Sequence, residues 1–199
     1  MHHMNRFLQQ FVVCGIASMI AAGVLAAAPT KESIEASVRR AMETFKAPGM
    51  AVSIVHDGKL YHSAGYGIVE IGSSKRVDDR TLFQIGSVSK AFTAATLAIL
   101  ADEGKLAWDD AVIDHLPEFR MHDPWVTREF TIRDLLTHRS GLPPGAGDLL
   151  MFPDGNAAPG DIIHALRYLE SASSFRSQFD YDNLLYIVAG ELIARVAGT

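Results

Sequence analysis

Apolar residues recur at helical spacing in several stretches of this chain, with one alternating, β-rich stretch near its start. Ile34, Val38, Ala41 and Phe45 mark one helix face over Lys31–Phe45, and Ala47-Pro48-Gly49 closes it. A hairpin follows: residues 50–56 and 59–66 read as two strands, joined by Asp57-Gly58, a pair that favours a type I′ turn. Residues 81–85 read as a short extended piece leading into a helix on which Val88, Phe92, Ala95 and Ile99 recur, up to Gly104. Thr131 and Asp134 are spaced like an acidic variant of a capping box, so a short helix is expected at 131–136. Residues 142–159 are rich in Gly and Pro and read as a long loop. A helix over 161–169 comes next, and after Tyr181-Asp182-Asn183 a periodic helix carries Leu184, Ile187, Val188, Leu192 and Val196.

Residues 1–26 read differently, as a secretory signal: Arg6 in a short polar start, an apolar run from Phe11, and small residues around the cleavage point after Ala26. The expected location is therefore the periplasm or the cell exterior, with an uncleaved membrane anchor as the alternative. Cys14 is the single cysteine and lies in that leader, so no intrachain disulfide can form. With 199 residues, 48% of them hydrophobic, the chain can bury one sizeable core. A net charge of −5 without a Lys/Arg cluster argues against nucleic acid as a partner. Eight scattered histidines lack the pairing of a zinc site, so neither a metal nor another cofactor is expected.

The chemistry centres on Gly86-Ser87-Val88-Ser89-Lys90. Residues at i and i+3 of a helix are neighbours, so the Ser87 hydroxyl and the Lys90 amine can touch. A serine hydroxyl attacks a carbonyl only when a base takes its proton, and an amine can be that base where burial or a nearby cation disfavours the ammonium form. A helix N-terminus adds free backbone N–H groups that suit a developing oxyanion. By itself this pair is equally a capping serine and a solvated lysine, since a chain of this length holds roughly one Ser-x-x-Lys by chance. His138 and Ser140 read as a helix end and a turn.

Phe83-Gln84-Ile85-Gly86-Ser87-Val88-Ser89-Lys90 resembles the nucleophile motif of the serine β-lactamase and penicillin-binding protein superfamily, nearest its class C and esterase-like branch. Pro48-Gly49 with the hairpin, Gly104-Lys105-Leu106 through Leu116-Pro117, Leu135-Leu136-Thr137-His138-Arg139-Ser140-Gly141-Leu142 and Tyr181-Asp182-Asn183 agree with it in order and spacing. The resemblance implies an α/β (α+β) β-lactamase/transpeptidase-like fold, mainly helical with an N-terminal β-hairpin of an incomplete antiparallel sheet. It also implies that Ser87 forms an acyl-enzyme with an amide, ester or β-lactam carbonyl. Lys90 and Tyr181 would handle the proton, and Asn183 would bind Lys90 and the substrate amide. The implied partner is a small-molecule or peptide substrate with a carbonyl centre.

One element of the family pattern is missing: no Lys/His-Thr/Ser-Gly triplet follows Tyr181. Residues 27–199 are therefore expected to be a truncated β-lactamase-like serine hydrolase domain, with an unmatched sheet edge beside 50–56. That departure keeps two alternatives open. One is an inactive or partner-dependent half-domain completed by a complementary chain, and the other is a penicillin-recognising sensor.

Overall fold

The computed structural model describes residues 28–152 and 155–198, so the leader read over residues 1–26 and Cys14 lie outside the described residues. The chain divides between Phe83 and Gln84 into two compact units.

In the first unit, helix α1 spans Lys31–Phe45. The Thr30 side chain caps its start by accepting the Ser33 N–H at 3.2 Å, and left-handed Lys46 ends it. Ile34 and Val38 are its buried positions. Strands β1 (Gly49–His56) and β2 (Lys59–Gly67) form an antiparallel pair. Asp57 and Gly58 between them have φ of 49° and 71°, the two positive values that a type I′ turn requires. The register slips after Ile54, which faces His62, while Val55 faces Leu60. Tyr61 is thus the extra, bulged residue. Its hydroxyl donates to the Pro29 carbonyl at 2.8 Å. Residues 81–85 form no strand, so the extended reading there is corrected. Leu82 within them is 96% exposed, and among the described residues the sheet has two strands.

The second unit is helical. A 3₁₀ turn at Gly86–Val88 runs directly into α2 (Ser89–Asp102). Short helices α3 (Val112–His115) and α4 (Pro124–Glu129) follow, then 3₁₀ turns at Arg133–Leu136 and Asp148–Leu150. The expected capping box forms, with Asp134 Oδ2 accepting from both the N–H and the hydroxyl of Thr131. The helix expected over 161–169 is α5 (Pro159–Ala165), which tightens into a 3₁₀ turn at Leu166–Tyr168. Last comes α6 (Leu184–Ala197), which packs against both α2 and α5.

Leu184, Leu185, Val188, Ala189 and Leu192 of α6 are buried with Leu97 and Leu100 of α2, Leu135, Ile163 and Leu166. Phe119 and Phe130 meet edge to face in the same core, centroids 5.3 Å apart. Residues on α2 and in the turn before it behave otherwise than their spacing suggested. Val88, Phe92 and Ile99 are 62%, 65% and 57% exposed, and the helix buries the rows of Leu97 and Leu100 instead. No helix of the described residues is long and apolar enough to cross a membrane.

Candidate active site

Ser87 stands in the middle of the Gly86–Val88 turn, and Gly86 enters that turn at φ 51°, a value that favours glycine. Because the turn feeds into α2, Lys90 follows Ser87 on the same face. The Lys90 ammonium donates to Ser87 Oγ at 3.2 Å. The opposite wall is the head of α6. Tyr181 brings its hydroxyl to 2.7 Å from Ser87 Oγ, across a sequence separation of 94 residues. Lys90 Nζ also donates to Asn183 Oδ1 at 2.7 Å and lies 4.8 Å from the centroid of the Tyr181 ring. All four residues singled out from the sequence therefore meet at one point of the second unit.

Tyr181-Asp182-Asn183 divides its work among three side chains. Asn183 occupies the cap position of α6 but makes no side-chain capping bond. Asp182 caps instead: its Oδ1 accepts the Leu184 N–H at 2.7 Å and the Leu185 N–H at 3.4 Å. That leaves the Asn183 amide free to reach Lys90. Asp182 is fully buried, its Oδ2 has no hydrogen-bond partner among the described residues, and burial pushes its carboxyl up to about 6.

Electrostatics around Ser87 favour an ionisable tyrosine. Lys90 first, and Ser87 second, hold the Tyr181 phenol below its ordinary value by stabilising the phenolate. His138 supports the same ring from behind. It follows the Arg133–Leu136 turn with φ 57°, so the backbone reading of a helix end and turn stands. The buried imidazole lies 4.6 Å from the Tyr181 ring and 5.3 Å from that of Tyr186. His138 Nδ1 accepts the Asp182 N–H at 3.2 Å, which requires the neutral ring with its proton on Nε2. Burial, and then Lys90, keep His138 below its ordinary value, in agreement with that tautomer.

Spacing alone did not reveal three contributors. Tyr186 lies one turn beyond Asn183 on α6, its ring 5.3 Å from Lys90 Nζ, and its hydroxyl donates to the Leu136 carbonyl at 3.0 Å. The i, i+3 relation to Asn183 was the available signal. His138 was visible in its motif, but its contact with Tyr181 is long-range. Asp148 carried no signal at all. It sits in the loop over 142–159, on the 3₁₀ turn Asp148–Leu150, and its Oδ1 accepts from Asn183 Nδ2 at 3.0 Å. Gly147 before it has φ 73°, and a side chain there would collide with Leu184. The loop is therefore pinned against the head of α6. A cleft of about 340 Å³ lies in front of these groups, lined by Ser87, Lys90, Asn183 and Tyr186 on one side and by Met151 and Phe152 on another. Among the described residues, no group of three or more His, Cys, Asp or Glu side chains could hold a metal ion.

Residues 34–199 match the Beta-lactamase family model. The chain belongs to the beta-lactamase family. Its family relatives include the Aspergillus violaceofuscus protein named unguisins hydrolase, 33% identical over 85% of this chain and 31% of that protein. Among solved structures, the octameric penicillin-binding protein homologue of Pyrococcus abyssi superposes with a TM-score of 0.70 at 27% identity, over 84% of this chain and 39% of that one. A class C beta-lactamase from Rhodobacter sphaeroides gives 0.66 at 27% identity, over 83% and 44%. The two units thus carry a partial β-lactamase/transpeptidase-like fold, mainly helical with a two-stranded antiparallel sheet. The chain spans about a third of the length of the curated relatives it matches.

Proposed function

We propose that this family member is a serine hydrolase or acyltransferase that works through an acyl-enzyme on Ser87. The observation that carries the reading is the triangle around the nucleophile, with Tyr181 at 2.7 Å and Lys90 at 3.2 Å from Ser87 Oγ. Tyr181 as the phenolate takes the Ser87 proton while Oγ bonds to the substrate carbonyl carbon. Lys90 holds the phenolate by its positive charge. The Ser87 backbone N–H, in the first turn of helical structure where N–H groups lack intrahelical partners, donates to the oxyanion. Collapse of that intermediate breaks the bond to the leaving amine or alkoxide, which takes the proton back from Tyr181. Water then repeats the sequence and releases the acid. Asn183 has one amide hydrogen on Asp148 and one available for the substrate amide.

Substrates of this class include peptidoglycan peptides, β-lactams and simple esters. The name of the Aspergillus relative supports hydrolysis. A leader over residues 1–26 would direct the reaction to the periplasm or cell exterior. The test is covalent labelling of the folded chain by a fluorescent fluorophosphonate and by a fluorescent penicillin, with Ser87→Ala as control. Label on the parent that is absent from the variant is the expected result. A folded chain that takes up neither probe overturns independent catalysis and favours a half-domain that needs a complementary chain. Penicillin labelling without turnover favours the sensor.

A further inference from the structure

Tyr181 holds its hydroxyl 2.7 Å from Ser87 Oγ, yet residues 180–182 belong to no helix or strand. A repeating ladder of hydrogen bonds therefore does not fix its backbone, and the bonds that do can be named one by one. The Asp180 N–H donates to the His138 carbonyl at 2.8 Å, and the Asp182 N–H donates to His138 Nδ1 at 3.2 Å. The two N–H groups that bracket Tyr181 thus end on a single residue, one on its main chain and one on its side chain. From the other direction the Gly145 N–H donates to the Tyr181 carbonyl at 3.1 Å. The imidazole that takes the Asp182 N–H is also the ring 4.6 Å from that of Tyr181, so one side chain touches both the backbone and the phenol.

The backbone of His138 narrows which residues could do this. Its φ of 57° is left-handed, a conformation in which Gly, Asn, Asp and His are the favoured residues. Gly has no acceptor to offer, and the imidazole supplies one as the neutral ring. His138 and its bond to the Asp182 N–H are buried, so without Nδ1 that N–H would have no acceptor and no water. The segment would have to shift to reach solvent, and Tyr181 would shift with it. The geometry points to His138 as a positioning residue that grips the segment on both sides of Tyr181 and so sets the distance from the Tyr181 hydroxyl to Ser87. It does this by accepting hydrogen bonds and exchanges no proton with a substrate. This inference rests on the acyl-enzyme reading only for the use made of Tyr181. Lys90 and Ser87 hold the Tyr181 phenol below its ordinary value only while the hydroxyl stays beside them, so its titration reports the grip without any reaction.

The test compares two substitutions in the whole chain that both accept φ 57°. His138→Asn carries an acceptor at the same δ position, whereas His138→Gly keeps only the backbone carbonyl. Fluorophosphonate labelling is expected to slow about 10²-fold in His138→Gly, the cost of a misplacement of about 1 Å. In His138→Asn, which loses only the ring contact, the loss should not exceed about tenfold. The second readout is phenolate absorbance, taken as the difference between each chain and the same chain carrying Tyr181→Phe. Tyr181 should titrate below the ordinary tyrosine value in the parent and in His138→Asn, and at that value in His138→Gly. A role in stability alone would lower the unfolding free energy of the variants without separating them in this titration. Equal titrations in the two folded variants therefore overturn the proposal. Should His138→Gly fail to fold, His138→Asn decides by itself: Tyr181 at its ordinary value in that variant overturns the grip, and a lowered value upholds it. Labelling of the parent with a titration that His138→Gly does not move sinks the role of His138 and leaves the serine mechanism standing. A titration that separates the variants in a chain that takes no label does the reverse.

Discussion

Tyr181 and Asn183 stand at the head of a helix whose inner face is sealed: Leu184, Leu185, Val188, Ala189 and Leu192 of α6 are all buried. Ser87 and Lys90 stand at the head of α2, where Val88, Phe92 and Ile99 are exposed and the buried residues are Leu97 and Leu100. The difference follows from how each pair is held. Ser87 and Lys90 need only one helical turn to meet, so local geometry secures them. Tyr181 and Asn183 must be brought across 94 and 93 residues to Ser87 and Lys90, and every contact that does this is tertiary. His138 behind the Tyr181 ring, Asp182 on the α6 N–H groups and Asp148 on Asn183 are the supports of that second wall. A site of this kind is most easily broken on the wall that depends on long-range contacts.

The largest effect is expected from Tyr181→Phe. If Tyr181 is the base, fluorophosphonate labelling should slow by about 10²–10⁴-fold, the usual contribution of a positioned base. In that role the phenolate is the working form, so the parent rate should rise with pH through the tyrosine's titration. Lys90 and Ser87 set that limb below the ordinary tyrosine value. Tyr181→Phe should remove the rising limb, and a limb that persists in the variant would take the base role from Tyr181.

Next in size is the anchor of α2. Leu97 is fully buried in the core shared with α6, and Leu97→Ala should cost about 2–5 kcal/mol in urea unfolding, the transfer and cavity cost of a buried leucine. A loss below about 1 kcal/mol would show that α2 is not held by this core.

The Asp182 carboxyl sharpens the comparison through pH. Its folded value of about 6 lies above the ordinary value, so the native state holds the proton where the unfolded chain has released it. The stability associated with the neutral form is complete below the unfolded value near 4 and is lost as pH rises through about 6, by roughly 3 kcal/mol at most. His138 acts in the opposite sense. Its lowered value means that the unfolded chain binds a proton first as pH falls below about 6.5, which destabilises the fold toward acid. The two effects are separated by difference: Asp182→Asn keeps the capping oxygen and should flatten the loss between pH 4 and 6 while leaving the histidine trend (~pH 6.5 and below) intact. Identical pH profiles for parent and variant would sink the buried-carboxyl account.

Local chemistry was the legible part of this molecule. The I′ turn at Asp57-Gly58, the bounds of α1, the capping box of Thr131 and Asp134 and the Ser87–Lys90 contact all follow from residues within a few positions of each other. Tyr181 and Asn183 were legible only through a motif resemblance, because nothing local says that they reach Ser87. Asp148 was hidden in a Gly/Pro-rich loop whose conformation depends on Gly147 seating against Leu184. The α2 stripe misled for a related reason. Helical period identifies a helix but not which apolar row meets the core, and here Leu97 and Leu100 do.

That choice of row yields the smallest expected effect. Phe92 is 65% exposed, and phenylalanine and serine have similar helix propensities. Phe92→Ser should therefore change the free energy of urea unfolding by no more than about 0.5 kcal/mol, as surface substitutions do. Association is where the substitution should register. Val88, Phe92 and Ile99 lie along one side of α2, and an apolar row of this size in water favours contact between chains. Sedimentation velocity should show the parent associating at concentrations at which Phe92→Ser remains monomeric. A loss of stability above about 1 kcal/mol would mean that Phe92 is packed within the fold, and the contrast between the two helices would collapse. Unchanged stability with reduced association would establish that α2 is held from its Leu97 and Leu100 side alone, with Ser87 at its head secured by local geometry.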